Sequence, residues 1–149
     1  MRAALDASAV LAAFLTDEGL RPHALHVLSE VNAGRLQPFV AAPFPFEIRN
    51  GLVRASRRNR FEWDRVPAVV HEIESYLWPI ASAPRDPDLL VLCRVLGLGW
   101  ADAHWVHLAA EVGVALITAD QRLARSVPPE VAWVEWLGDR PLDGEAAED

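Results

Sequence analysis

Residues 101–120, ADAHWVHLAAEVGVALITAD, restrict what this chain can fold into more than any other stretch. Asp102 fits a helix N-cap or first-turn position, where a carboxylate meets unpaired N–H groups and the positive end of the helix dipole. Trp105, Leu108, Ala109 and Val112 then recur at helical spacing and face a core. Gly113 has the place of a helix-terminating C′ glycine. Val114 to Ile117 is a short apolar run of the kind that suits a strand buried on both faces of a parallel sheet. Asp120 follows that strand, so it falls at the carboxyl edge where open α/β sheets hold their ligands.

The same layout opens the chain. Met1 to Leu5 reads as a strand, Asp6 ends it, and Ala7 to Leu15 reads as a helix. Ser8 lies two residues after Asp6. It is placed either to make a local turn hydrogen bond or to orient a carboxylate or bound water. A second helix is predicted over Arg21 to Val31 with Leu25 and Leu28 inward, and a second strand within Leu36 to Ala42. A third helix is expected from Phe46 to Arg58, entered through Pro43 and Pro45. Glu47 lies in its first turn and Asn50 is three residues on, on the same face. Trp63 to Trp78 reads as a fourth helix, Pro79 to Ala81 as an edge strand, Leu89 to Leu96 as a helix capped at Asp86-Pro87-Asp88, Gln121 to Ser126 as a short helix and Val131 to Val134 as a final strand. Repeated βα units imply an α/β fold: a parallel sheet with helices on both faces, in one domain.

Composition removes several functions. All fourteen basic residues are Arg, and Lys is absent. A P-loop needs its Lys on the phosphates, and Schiff-base chemistry needs an amine. Receiver domains and haloacid-dehalogenase-type phosphatases share this sheet plan but normally use a Lys, so they fit poorly. The single Cys93 cannot form an internal disulfide or a thiolate-rich zinc site, and its apolar helix suggests a buried thiol. The net charge of −7 is uneven, because residues 138–149 hold five acids and one Arg, net −4, leaving −3 for the rest. That acidic tail has no apolar periodicity and is expected to be loose. No run of about 18 uncharged apolar residues exists. The start, MRAALDAS, lacks a signal peptide's apolar core. No membrane span is expected, and a cytoplasmic location follows as the default.

Asp6, Glu47, Asp102 and Asp120 are the acids at strand ends or helix starts that face one sheet edge. Right-handed crossovers put the carboxyl ends of parallel strands on one side. Four carboxylates in one cleft repel and raise each other's pKa, which makes sense if a divalent cation sits among them. Oxygen ligands alone select a hard ion, Mg²⁺ or Mn²⁺, and such an ion suits phosphodiester hydrolysis. Asp6 and Asp102 are the expected direct ligands, with Asp120 completing the shell and Glu47 binding a second ion or orienting water. Thr118 and Asn50 would support them. Arg54, Arg57 and Arg58, with Arg49, Arg60 and Arg65, form the one dense basic patch. It serves either the dipole at a helix end or the phosphates of a nucleic acid. His104, His107 and Glu111 share a helix face, read as its polar side. The six Trp are read as core or interface.

LDAS, FEIRNGL, ADAHWVHLAAEVG and LITAD, in this order and spacing, resemble the PIN domain, and among PIN domains the VapC-type toxins of toxin–antitoxin pairs. The resemblance runs from Leu5 to about Val134. It implies a three-layer α/β/α sandwich, with a PIN-like nuclease domain over residues 1–137, and a Mg²⁺- or Mn²⁺-dependent endoribonuclease. It also implies a homodimer, and a small antitoxin whose C-terminal segment lies in a groove between helices. The family's four acids fall on Asp6, Glu47, Asp102 and Asp120. Its accompanying hydroxyl, Asn and Thr fall on Ser8, Asn50 and Thr118. Trp105 stands where such proteins often have Tyr. A non-catalytic PIN module that binds RNA or protein is the other reading.

Overall fold

The structure is a computed structural model and describes residues 1–16, 19–76 and 78–142. Four parallel strands form one sheet in the order β2-β1-β3-β4. They are β1 (Arg2–Leu5), β2 (Gln37–Phe39), β3 (Ala115–Thr118) and β4 (Val134–Trp136). The central strands carry Ala3, Ala4, Leu5, Leu116 and Ile117, none measurably exposed, as strands covered on both faces require. The helices are α1 (Ala7–Leu11), α2 (Arg21–Asn32), α3 (Phe44–Arg57), α4 (Val66–Glu74), α5 (Asp86–Leu96), α6 (Trp100–Val112) and α7 (Gln121–Ser126). α1 packs with α2 and α3, α6 lies against β1 and β3, and α5 packs on α6. The result is the expected α/β/α sandwich with an all-parallel sheet.

β1 pairs with β2 on one side and β3 on the other. The strand order therefore reverses between β1 and β3, and ligand crevices of open α/β sheets form outside the carboxyl ends of the strands at such a point. Asp6 follows β1 directly, and its N–H extends the ladder by donating to the Ile117 carbonyl at 3.0 Å. Asp120 comes two residues after β3.

Several elements differ from expectation. α1 stops at Leu11 and continues as turns, with the Ala13 and Phe14 N–H groups donating to the carbonyls of Val10 and Leu11. Leu25 is exposed, and Ala24, Val27 and Leu28 form the inner face of α2 instead. The fourth helix is shorter at both ends. Pro67 fixes the start of α4, so Trp63–Arg65 forms a separate 3-10 turn. At the other end Trp78 Nε1 donates to the freed Ile73 carbonyl at 2.7 Å. Residues 79–81 contribute a single parallel bridge, Val40 to Ile80. The last strand begins at Val134, because Pro128 anchors a turn that consumes Val131 and Ala132.

The expected loose tail also starts too early. Gly138 and Asp139 belong to a 3-10 turn. Arg140 is largely covered, donates to Glu135 Oε1 at 2.9 Å, and offers its carbonyl to His23 Nδ1 at 2.9 Å. Residues 143–149 of that tail lie outside the described residues. Cys93 is half-buried, on a helix that packs mainly on α6 and has Leu89 as its buried residue. His104 is buried, not on a wet face, and its Nδ1 is 2.9 Å from the Trp100 carbonyl. Only Trp105 of the six Trp is fully buried, while Trp63, Trp100 and Trp133 are exposed. Among the described residues no single helix is long and apolar enough to cross a membrane.

Candidate functional site

Asp6 is the anchor of the site. It is the N-cap of α1, with Ser8 N–H donating to Oδ1 at 3.3 Å. Its Oδ2 accepts from two hydroxyls, Ser8 Oγ at 2.7 Å and Thr118 Oγ1 at 2.5 Å. Both hydroxyls are themselves held. Ser8 Oγ accepts from Ala119 N–H, and Thr118 Oγ1 accepts from Asp120 N–H, each at 3.0 Å. Ser8 and Thr118 therefore join the ends of β1 and β3 through one carboxylate oxygen. The two roles weighed for Ser8 coexist, since its backbone N–H makes the local cap hydrogen bond to Asp6 and its hydroxyl orients the same carboxylate.

Asp120 is the N-cap of α7, with Oδ1 accepting from Leu123 N–H at 3.0 Å. Asp102 stands in the first turn of α6, whose N-cap is Gly99, and its side chain receives the Gly99 N–H. This is the reciprocal half of a capping box, with Asp in place of Glu. Glu47, in the first turn of α3, is carried to the same rim by Trp105. The Trp105 Nε1–H donates to Glu47 Oε2 at 2.8 Å from a fully buried ring three residues beyond Asp102. The edge-on contact of Trp105 with Phe44, centroids 6.2 Å apart, locks α6 against the start of α3.

The electrostatics show that the four acids share one field. Burial pushes the Asp6 carboxyl above its usual range, the Thr118 and Ser8 hydrogen bonds pull it back, and the Asp120 charge raises it again. Burial raises Glu47 to about 7, with Asp6 and Asp102 adding to the rise and Trp105 opposing it. Asp102 is raised by burial, then by Asp6 and Asp120, with Arg122 opposing. Each of these is the expected response of a carboxylate to desolvation and like charge. The tertiary fold thus brings these acids, from four separate segments, within electrostatic range of one another.

No family model and no curated protein matches this chain. Among solved structures it is similar to that of PAE2754 from Pyrobaculum aerophilum, with a TM-score of 0.68 over 90% of this chain and 83% of that one, at 20% identity. Likeness at that identity carries the fold.

Two residues enter the site that sequence reasoning left out. Arg122, highly exposed on α7, places Nη2 3.9 Å from Asp102 Oδ2 and 3.8 Å from Asp120 Oδ2. Trp105 had read as core packing, although its i+3 spacing from Asp102 was the available signal. Asn50 is exposed on α3 and makes no hydrogen bond to the acids among the described residues. Arg54 and Arg58 line a cleft beside Ser8 and Asp120, joined there by Arg60, whereas Arg57 is not on its wall.

The donor set suits a hard cation in kind, being oxygen throughout and burdened by mutual repulsion. Among the described residues, no three His, Cys, Asp or Glu side chains are grouped closely enough to hold an ion by themselves. A cation that keeps several of its waters needs only a few carboxylates, which makes such an open arrangement compatible with Mg²⁺.

Proposed function

We propose that this chain is a Mg²⁺- or Mn²⁺-dependent endoribonuclease of PIN type, the toxin half of a toxin–antitoxin pair. The observation that carries the reading is the convergence of Asp6, Glu47, Asp102 and Asp120, from four separate segments, at the reversal point of a parallel sheet. Uncompensated, that cluster disfavours its own ionisation, and a divalent cation is the chemistry that removes the penalty. Asp6 and Asp102 would hold the ion, with Asp120 completing the shell through water. When bound, it would lower the pKa of a water and polarise a phosphoryl oxygen. Ser8 and Thr118 hold the Asp6 carboxylate in one orientation. Glu47, steadied by Trp105, would orient the attacking water or hold a second ion.

The reading also entails partners. The apolar face of α5, with Leu90, Val91 and Val95 exposed, supports a homodimer. A cleft of about 190 Å³ between α3 and α4, lined by Phe44, Ile48, Ile73 and Trp78, supports an antitoxin segment seated between helices.

The test is cleavage of labelled RNA with Mg²⁺ or Mn²⁺ by the wild type, Asp6→Asn and Asp102→Asn. Both variants should lose cleavage by at least about a hundredfold while keeping the circular dichroism spectrum. Cutting that survives both changes ends the proposal. A specific observation favours a second reading, a non-catalytic RNA- or protein-binding module: Asp6, Asp102 and Asp120 each accept a local backbone N–H, as ordinary caps do. Calorimetry with Mn²⁺ separates the two, since a cap-only role gives no binding heat.

A further inference from the structure

Arg122 stands where the acids meet water. One nitrogen, Nη2, faces two carboxylates from different segments, at 3.9 Å from Asp102 Oδ2 and 3.8 Å from Asp120 Oδ2. The arginine side chain is 81% exposed, against 27% for Asp102 and 38% for Asp120. The acids are therefore recessed, and the guanidinium lies on the side from which a ligand reaches them. Neither contact is a hydrogen bond. An Arg–carboxylate fork closes at about 2.7–2.9 Å, so charge alone holds this guanidinium. That charge opposes the rise that burial, Asp6 and Asp120 impose on Asp102.

The backbone beneath it is fixed. Leu123 is buried in the core, and its N–H is capped by Asp120 Oδ1 at 3.0 Å. On the other side Gln121 lines a separate cleft with Val134 and Trp136 of β4. Motion is left to the Arg122 side chain, tethered two residues from Asp120. Charge decides where that side chain goes. Two ionised carboxylates hold the guanidinium. A divalent cation on the same oxygens offsets their charge and repels the arginine directly. An exposed pair of this kind contributes little, so the ion displaces it at small cost.

We infer that Arg122 gives up Asp102 and Asp120 when the cation binds and takes a non-bridging oxygen of the scissile phosphate instead. The inference rests on the nuclease reading of these acids and adds to it a residue that touches the substrate. Once released, the guanidinium is still held above the site by its tether, and the anion that arrives there is the phosphodiester. Arg suits that partner, because its planar fork matches phosphate oxygens and it keeps its charge at every working pH. A guanidinium on that oxygen opposes the negative charge that grows on the phosphoryl group as water adds to phosphorus. The same side chain thus serves the acids before the ion binds and the substrate afterwards. A plain surface ion pair would compete with the metal and do nothing more.

The experiment pairs two measurements on the whole chain that should move in opposite directions. Calorimetry with Mn²⁺ and no RNA should show Arg122→Gln binding the ion about threefold more tightly than wild type. Single-turnover cleavage of labelled RNA, with Mn²⁺ and RNA both saturating, should show the same variant cutting at least about tenfold more slowly. Saturation removes the gain in metal affinity from the rate. Arg122→Lys keeps the charge without the fork, so it should bind Mn²⁺ like wild type and recover part of the rate. Unchanged or weaker Mn²⁺ binding in Arg122→Gln overturns the displacement. Tighter binding with an unchanged rate makes Arg122 a competitor of the metal only and overturns the phosphate contact. In both cases a wild type that cuts RNA leaves the nuclease reading standing. A wild type that does not cut at all overturns that reading, and this inference with it.

Discussion

Glu47 offers the sharpest quantitative handle, through Glu47→Gln without metal. Its carboxyl is raised from 4.5 to about 7 by burial first and by the Asp6 and Asp102 charges next. The sign follows from linkage. A carboxyl whose folded pKa lies above its unfolded value favours folding fully below about 4.5, and that contribution is lost as pH rises through about 7. A shift of that size corresponds to at most about 3 kcal/mol. Glu47 is partly exposed, and solvent screening brings the expectation to about 1–2 kcal/mol. Gln cannot ionise, yet its amide oxygen still accepts from Trp105 Nε1. The variant should therefore be more stable than wild type at about pH 8 and equal to it at about pH 4.5. Thermal melts and urea titrations in EDTA across that range measure the gap, which corresponds to about 3–6 °C in Tm. With Mn²⁺ in place of EDTA, the wild type should recover the difference. A variant no more stable at about pH 8, or a gap that does not close toward acid, refutes the claim that Glu47 is desolvated among like charges.

Trp105→Phe keeps the ring in the core but removes the donor that holds Glu47 down, so the Glu47 carboxyl should titrate above about 7. Carbon-detected NMR of labelled Glu follows this directly, and an unmoved titration means that Trp105 does not govern the acid. Arg122→Gln removes the one guanidinium within 4.0 Å of Asp102 and Asp120 among the described residues. Mn²⁺ should then bind about threefold more tightly in calorimetry, the modest size expected of exposed ion pairs. Weaker binding would instead make Arg122 an aid to the cation.

The positions of Asp6 and Asp120 were legible because strand-acid-helix is a local pattern. Asp6 and Asp120 each follow an apolar strand and cap a helix, and Asp102 opens a helix, so propensity and capping chemistry mark them without tertiary information. Element ends were less legible for equally local reasons. Pro67 cut the fourth helix and the Pro128 turn displaced the last strand, both through proline geometry within a pattern that otherwise ran on. Leu25 faces water and Ala24 faces the core, because the approach of α1 and not hydropathy chose the inner face of α2.

What the chain determined alone was which residues carry charge, where strands end in acids, and that no Lys or thiolate chemistry was available. Only the tertiary structure decided that these acids share one field, since that depends on strand order: β1 beside β3 joins residues more than a hundred positions apart. It also decided that Trp105 holds Glu47, that Arg122 reaches two of the acids, and that Arg54 and Arg58 border a cleft while Arg57 does not. Periodicity assigns a residue to a face of its own element. Which face meets which neighbour is set by packing, where the cost of burying charge is balanced against contacts that no single segment contains.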